Sequence, residues 1–160
     1  SSFGLSQDLS ISRKEAKEYI ERYFASYPTI KTFIDGLVSE AKEKGYSLTM
    51  YNRRREIPEI KSSNFMQRSF GERVAMNAPI QGSSADLIKI AMIRIDQMMK
   101  EKNVQSKMIL QVHDELIFNV VNGEEELMKK IVEEGMNHAM ELKVPLTSEC
   151  AVGKDWYEAK

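Results

Sequence analysis

Gln111, Val112, His113, Asp114, Glu115 and Leu116 form the segment with the most chemical capacity in this chain. An imidazole and two adjacent carboxylates sit between two runs in which apolar and polar residues alternate. Grouped carboxylate oxygens suit a hard divalent cation such as Mg2+, which takes oxygen ligands and keeps several of its waters. The trio is a poor choice for merely closing a hairpin, because tight turns favour Asn-Gly or Asp-Gly. A polar turn with no chemical task has this composition too, so the motif alone leaves both readings open.

Arg73, Asn77 and Gln81 recur every fourth residue. If the helical path persists across Pro79, the three lie near one face and offer a row of hydrogen-bond donors. Such a row suits phosphates and the N3 and O2 acceptors of a minor groove. The competing reading makes Asn77 a helix cap, places Gln81 in the first turn of the next helix and pairs Arg73 with Glu72 or another surface carboxylate.

The elements that must position these groups follow from periodicity. Ser12 and Glu15 make a capping box, and Ala16, Tyr19, Ile20, Tyr23 and Phe24 continue at helical spacing, which predicts a helix over about 13–25. Pro28 restarts the chain. Ile30, Phe33, Ile34, Leu37, Val38 and Ala41 form a second stripe that ends at Gly45, so the two helices are read as an antiparallel pair whose aromatic residues pack. Residues 46–57 favour a short hairpin or extended loop closed by Pro58. Ser62 or Ser63 caps a third helix through Met76, Pro79 breaks it, and a fourth helix, apolar from Leu87 to Met99, is largely buried. Alternation at Met108, Leu110 and Val112, and again at Leu116, Phe118 and Val120, predicts two antiparallel strands joined at His113 to Glu115. A helix over about 124–141 follows, Pro145 ends it, and 146–152 is read as a last strand. The predicted class is α+β, with helices packed on a small antiparallel sheet.

At 160 residues and 42% hydrophobic composition, the chain suffices for one domain or part of one. No run of about 18 apolar residues and no signal-peptide pattern occurs, so a soluble, cytoplasmic protein without a membrane partner is expected. The single cysteine, Cys150, excludes an internal disulfide and a cysteine-based zinc site, and is expected to be a small buried apolar residue. Net charge is -1, yet residues 53–73 hold six basic side chains (Arg53, Arg54, Arg55, Lys61, Arg68, Arg73) against three acidic ones (Glu56, Glu59, Glu72). Glu124, Glu125, Glu126, Glu133 and Glu134 crowd a later segment. A local basic stripe on a near-neutral chain can bind a polyanion, although charged stretches are commonly solvated faces.

Together, these segments resemble a known family. Arg73 to Leu87 (RVAMNAPIQGSSADL), followed some thirty residues on by Gln111 to Glu115 (QVHDE), is similar to the carboxy-terminal half of the polymerase domain in family A DNA polymerases. Phe3, Gly4 and Leu5 resemble the tail of the family's motif B, Gly153 to Trp156 its ending, and Arg54-Arg55 before Pro58 also fits. The resemblance implies template-dependent nucleotidyl transfer by a DNA-directed DNA polymerase. Asp114 is then the motif C aspartate and a ligand of catalytic Mg2+, and Glu115 an accessory catalytic carboxylate. His113 touches the primer end, and Arg73, Asn77 and Gln81 contact primer–template DNA. Deoxynucleoside triphosphates are the other implied partners. Residues 1–45 would belong to the helical fingers and 46–160 to the palm.

The departures set limits on that expectation. No motif A strand with the second metal-binding aspartate occurs, and the motif B lysine and tyrosine would fall just before Ser1. Asn52 stands where family members commonly carry glycine, which leaves the loop geometry near Arg53 open. One aspartate cannot clamp two metals roughly 3.5–4 Å apart. The chain is therefore expected to be a carboxy-terminal piece, inactive alone, that works with a missing upstream part. A non-catalytic DNA-binding module of the same fold and an unrelated hydrolase using His113 and Asp114 are the other readings; the hydrolase would need more ligands than His138 can add.

Overall fold

Ser12 starts a helix by a purely local device. In the computed structural model, which describes residues 2–159, its hydroxyl accepts the Glu15 N–H at 3.2 Å while the Glu15 carboxylate accepts the Ser12 N–H at 2.9 Å. The helix so started, α2 (Arg13–Ser26), follows a short helix, α1 (Ser2–Asp8), that the sequence reading lacks. Pro28 begins α3 (Pro28–Lys44), since a proline at the first position forfeits an N–H that would have no partner there. Gly45 ends it in the left-handed conformation (φ +85°), donating its N–H to the Ala41 carbonyl at 2.8 Å. The expected aromatic packing does not hold. Tyr19, Tyr23, Tyr27 and Phe33 are each about half exposed, and Tyr23 meets Phe24 and Tyr27 laterally. The core of this region is built instead from Ala41, Ile57, Ile60 and Ala75, with Val38 and Val74 against them.

β1 (Tyr46–Leu48) and β2 (Arg54–Glu56) pair antiparallel, Leu48 facing Arg54, and Pro58–Lys61 makes a short 3-10 turn that buries Ile60. Asn52 takes the left-handed conformation (φ +60°) that a glycine would adopt freely; asparagine is among the few other residues that tolerate it. Asn64, rather than Ser62 or Ser63, caps the next helix, because its side-chain oxygen accepts the N–H groups of Met66 and Gln67 at 2.9 and 3.3 Å.

That helix corrects the sequence reading. α4 (Phe65–Glu101) runs for 37 residues with Pro79 inside it, so neither the break nor the fourth helix start exists. A proline forfeits one backbone hydrogen bond and crowds the preceding turn, at a cost of about 3 kcal/mol. Buried Ala75 and Ala78 before it, and Asp86, Ile88 and Ala91 after it, hold the turns on either side.

The chain forms two compact units, one of Ser1–Leu48 and Asn52–Pro79, the other of Thr49–Tyr51 and Ile80–Lys160. In the second, Ile88, Ala91, Ile95 and Met99 recur at helical spacing and are buried, while Ile93 is exposed. β3 (Lys107–Val112) and β4 (Glu115–Asn119) form an antiparallel ribbon. Met108 faces Phe118 and Leu110 faces Ile117, so Ile109 is an extra residue, a β-bulge, and the expected strict alternation fails there. Met108, Leu116, Phe118 and Val120 pack on Ile95, Met99, Met128 and Ile131, whereas Ile109 and Leu110 face outward. α5 (Glu125–Asn137) supplies Met128 and Ile131. A side chain at Gly135 would collide with Ile95, which shows how closely α5 approaches α4.

α5 stops four residues short of the expected 141. The Arg94 guanidinium donates to the His138 carbonyl at 3.0 Å, which satisfies an end group that further helix would otherwise have to pair. Residues 146–152 are not a strand. Leu146, Ser148 and Cys150 are half-buried and alternate with exposed neighbours, so the period of two is real, but among the described residues no strand pairs with them. Cys150 is half-buried rather than fully buried, and that burial raises its thiol pKa. The α+β class holds, with two separate two-stranded antiparallel ribbons.

Candidate active site

Val112 and Glu115 are the last facing pair of the second ribbon, leaving His113 and Asp114 alone in the turn. His113 has φ +53°, a left-handed backbone that costs a side-chain-bearing residue on the order of 1 kcal/mol or more. The Gln111 side-chain amide holds it there by donating to the His113 carbonyl at 2.7 Å. A hairpin optimised only for stability would place glycine or asparagine at that position, so the strain marks a site where the side chain matters. His113, Asp114 and Glu115 are all exposed. Among the described residues, neither carboxylate forms an ion pair.

The other end of the ribbon is fastened. Glu124 accepts the Gln105 N–H at 2.9 Å, the Ser106 N–H at 2.9 Å and the Ser106 hydroxyl at 2.6 Å. Ser106, itself buried, accepts the Val121 N–H at 2.9 Å, so one carboxylate ties the chain entering β3 to the chain leaving β4. These bonds favour the charged form: the Gln105 N–H first and the Ser106 hydroxyl next hold the Glu124 carboxyl below its ordinary value, against the opposing effect of burial. Sequence reasoning missed this residue, which looked like one more member of an acidic surface run. Its place at the start of α5 gave no signal, because its side chain makes no capping hydrogen bond there and reaches back to Gln105 and Ser106 instead.

Arg73, Asn77 and Gln81 are exposed and follow one another a turn apart along α4, so the condition attached to this row is met and Asn77 caps nothing. The Arg73 guanidinium donates to Ser69 Oγ at 3.2 Å and lies 5.8 Å from the Phe70 ring centre, which orients it without neutralising it. Arg73 and Asn77 belong to the first unit; Gln81 and the tip residues belong to the second. His138 caps the end of α5, with its ring against the Glu134 carbonyl, and is exposed.

Asp114 and Glu115 fit a hard divalent cation in donor type and in accessibility. They fall short in number, because among the described residues no three His, Cys, Asp or Glu side chains stand together as a metal cluster. Among the described residues, no helix is long and apolar enough to cross a membrane.

The structure resembles a polymerase domain. The polymerase domain of Pol1 from M. smegmatis, solved in complex with DNA primer-template and dNTP, matches with a TM-score of 0.96 at 44% identity, over 99% of this chain and 28% of that one. Among curated proteins, DNA polymerase I of Lactococcus lactis subsp. cremoris is 52% identical across all 160 residues, and that of Bacillus subtilis is also 52% identical across the same span. DNA polymerase I of Caldicellulosiruptor bescii is 49% identical. This chain spans 18% of the first two relatives and 19% of the third. The sequence model described as DNA polymerase family A matches residues 1–158, and the chain belongs to that family.

Proposed function

We propose that this chain is the carboxy-terminal fingers and palm portion of a DNA-directed DNA polymerase, with residues 1–45 in the fingers and 46–160 in the palm. One observation carries the reading: Asp114 stands at the exposed tip of a ribbon, unpaired among the described residues, next to a histidine held in a strained conformation. Asp114 is the chain's ligand for a divalent metal, Mg2+ by donor type, and Glu115 is an accessory carboxylate. Asp114, with a second aspartate from the upstream part, would hold Mg2+, which would supply activation of the primer 3′ hydroxyl and neutralisation of triphosphate charge. His113 contacts the primer end. Arg73, Asn77 and Gln81 contact primer–template DNA without reading its sequence, since phosphate and minor-groove acceptors recur at every step. Deoxynucleoside triphosphates are the second substrate, and the work takes place in the cytoplasm.

The test joins or mixes this chain with the upstream part of the enzyme and measures extension of a primed template in Mg2+. Asp114→Ala is expected to lower the extension rate by about a thousandfold or more, because a metal clamp contributes several kcal/mol and each 1.4 kcal/mol is about tenfold. DNA affinity should change by less than about threefold, since the row on α4 is intact. Wild-type extension by the Asp114→Ala protein would defeat the assignment. An assembled wild type that binds primed DNA and extends nothing identifies instead a non-catalytic binding module.

A further inference from the structure

The two strands of the β3–β4 ribbon are unequal in length between the same two ends. Six residues of β3 lie against five of β4, and the surplus residue is Ile109, bulged out between the Met108–Phe118 and Leu110–Ile117 pairs. Both ends are held. At the tip, the turn sets Val112 opposite Glu115, with the Gln111 amide on the His113 carbonyl. At the base, Glu124 accepts the Gln105 N–H, the Ser106 N–H and the Ser106 hydroxyl, and the same Ser106 oxygen accepts the Val121 N–H. Ser106 is therefore unable to move along β4 without breaking the set.

The composition of β3 would also allow a ribbon with no bulge. Sliding its first residues by one position would set Ile109 opposite Phe118, in the register that the tip already keeps. Directly opposed residues share a face, so Ile109 would replace Met108 on the core, one apolar side chain for another of similar volume. Among the described residues, Met108 is the one β3 side chain packed on Ile95, Met99, Met128 and Ile131. Core burial thus favours neither register strongly, and the choice falls to the polar clamp at the base.

That choice reaches the tip, because a bulge bends its strand, adds twist and re-aims what lies beyond it. Asp114 stands five residues past Ile109, about 15 Å at roughly 3.3 Å per residue, so a bend altered by only about 4° displaces its carboxylate by about 1 Å.

We propose that Glu124 and Ser106 are positioning residues for Asp114: their clamp locks the bulged register of the ribbon and so aims the carboxylate at its tip. Neither residue touches DNA, nucleotide or metal. The inference rests on the polymerase reading and adds to it a pair of residues remote from the reacting atoms.

The experiment uses the assembled enzyme on a primed template in Mg2+, with kcat and KM for DNA measured for each variant. Glu124→Ala is expected to lower kcat by about ten- to a hundredfold and to leave KM for DNA within about twofold, since a misplacement of about 1 Å can cost a hundredfold in rate. Ser106→Ala, in which the carboxylate still accepts both amides, should show the same split with a smaller loss. Ile109→Lys alone should match wild type, because that side chain is exposed. The decisive protein is Glu124→Ala/Ile109→Lys. A lysine is unable to take the place of Met108 on the core without burying its charge, so the slide is blocked and kcat should return to within about threefold of wild type. A mere loss of stability would not be repaired by a charge on the surface. Wild-type kcat in both Glu124→Ala and Ser106→Ala, or a loss that Ile109→Lys leaves unrepaired, overturns the proposal. A wild-type assembly that extends nothing removes the polymerase reading itself; wild-type extension with an unaffected Glu124→Ala protein removes the clamp alone.

Discussion

In the β1–β2 ribbon the tip is the fixed end, tied to α4 through Thr49 and Met50, while in the β3–β4 ribbon the base is fixed through Glu124 and, among the described residues, the tip carries no such ties to another element. The contrast follows what each tip presents. Apolar side chains left on a mobile loop would fold back on the protein and cover themselves, so Met50 and Tyr51 need a rigid seat. On the proposed reading the Asp114 carboxylate stays in water until a cation reaches it, so it needs an open turn and takes its rigidity from below. Two antiparallel ribbons of one chain thus meet opposite demands by exchanging which end is held.

The contrast can be tested from the floor of the second ribbon upward. Ile131 is 1% exposed in the cluster on which Met108, Leu116 and Phe118 pack. Ile131→Ala should cost about 2–5 kcal/mol through lost burial and a residual cavity, read by urea unfolding followed at probes in β3 and β4. A change below about 0.5 kcal/mol would mean that the ribbon does not depend on its core face.

At the tied tip, Asn52→Val should cost about 1–2 kcal/mol, since a β-branched residue resists φ +60°, whereas Asn52→Gly should lie within a few tenths of wild type. Equal melting temperatures for the two variants would show that the left-handed conformation is not enforced.

The smallest effect is expected at the base. Glu124 has its pKa lowered in the folded chain, so its contribution is complete above the ordinary carboxyl value of 4.5 and is lost as the pH falls through the lower folded value. Protection factors for the Gln105 and Ser106 amides should therefore decline below about pH 4.5, and Glu124→Gln should remove that dependence. A decline that persists in Glu124→Gln would assign it to another group.

The parts that could be read from the sequence were those decided by neighbours. The Ser12–Glu15 box, the stop at Gly45 and the Val112–Glu115 turn involve residues within a few positions of one another, and each stands where periodicity put it. Pro79 misled because its rule is local and its rescue is not: the turns on both sides are held by burial that no short window reports. Residues 146–152 kept the period of a strand, yet a strand also requires a neighbour, which is a fact about the rest of the molecule. The site divides the same way. The tip trio and the α4 row are candidates singled out by residue type and spacing, and the structure leaves both exposed. Glu124 and Asp86 were hidden because their hydrogen-bond partners lie 18 to 37 residues away.

The bulge at Ile109 carries a practical consequence. By inserting one residue it turns two successive aliphatic side chains, Ile109 and Leu110, toward solvent on a strand that, among the described residues, has one side unpaired. Such a border is a template on which sheets grow from one molecule to the next. Handling this chain by itself at high concentration invites aggregation there, and a lysine substituted at position 109 is the natural gatekeeper against it.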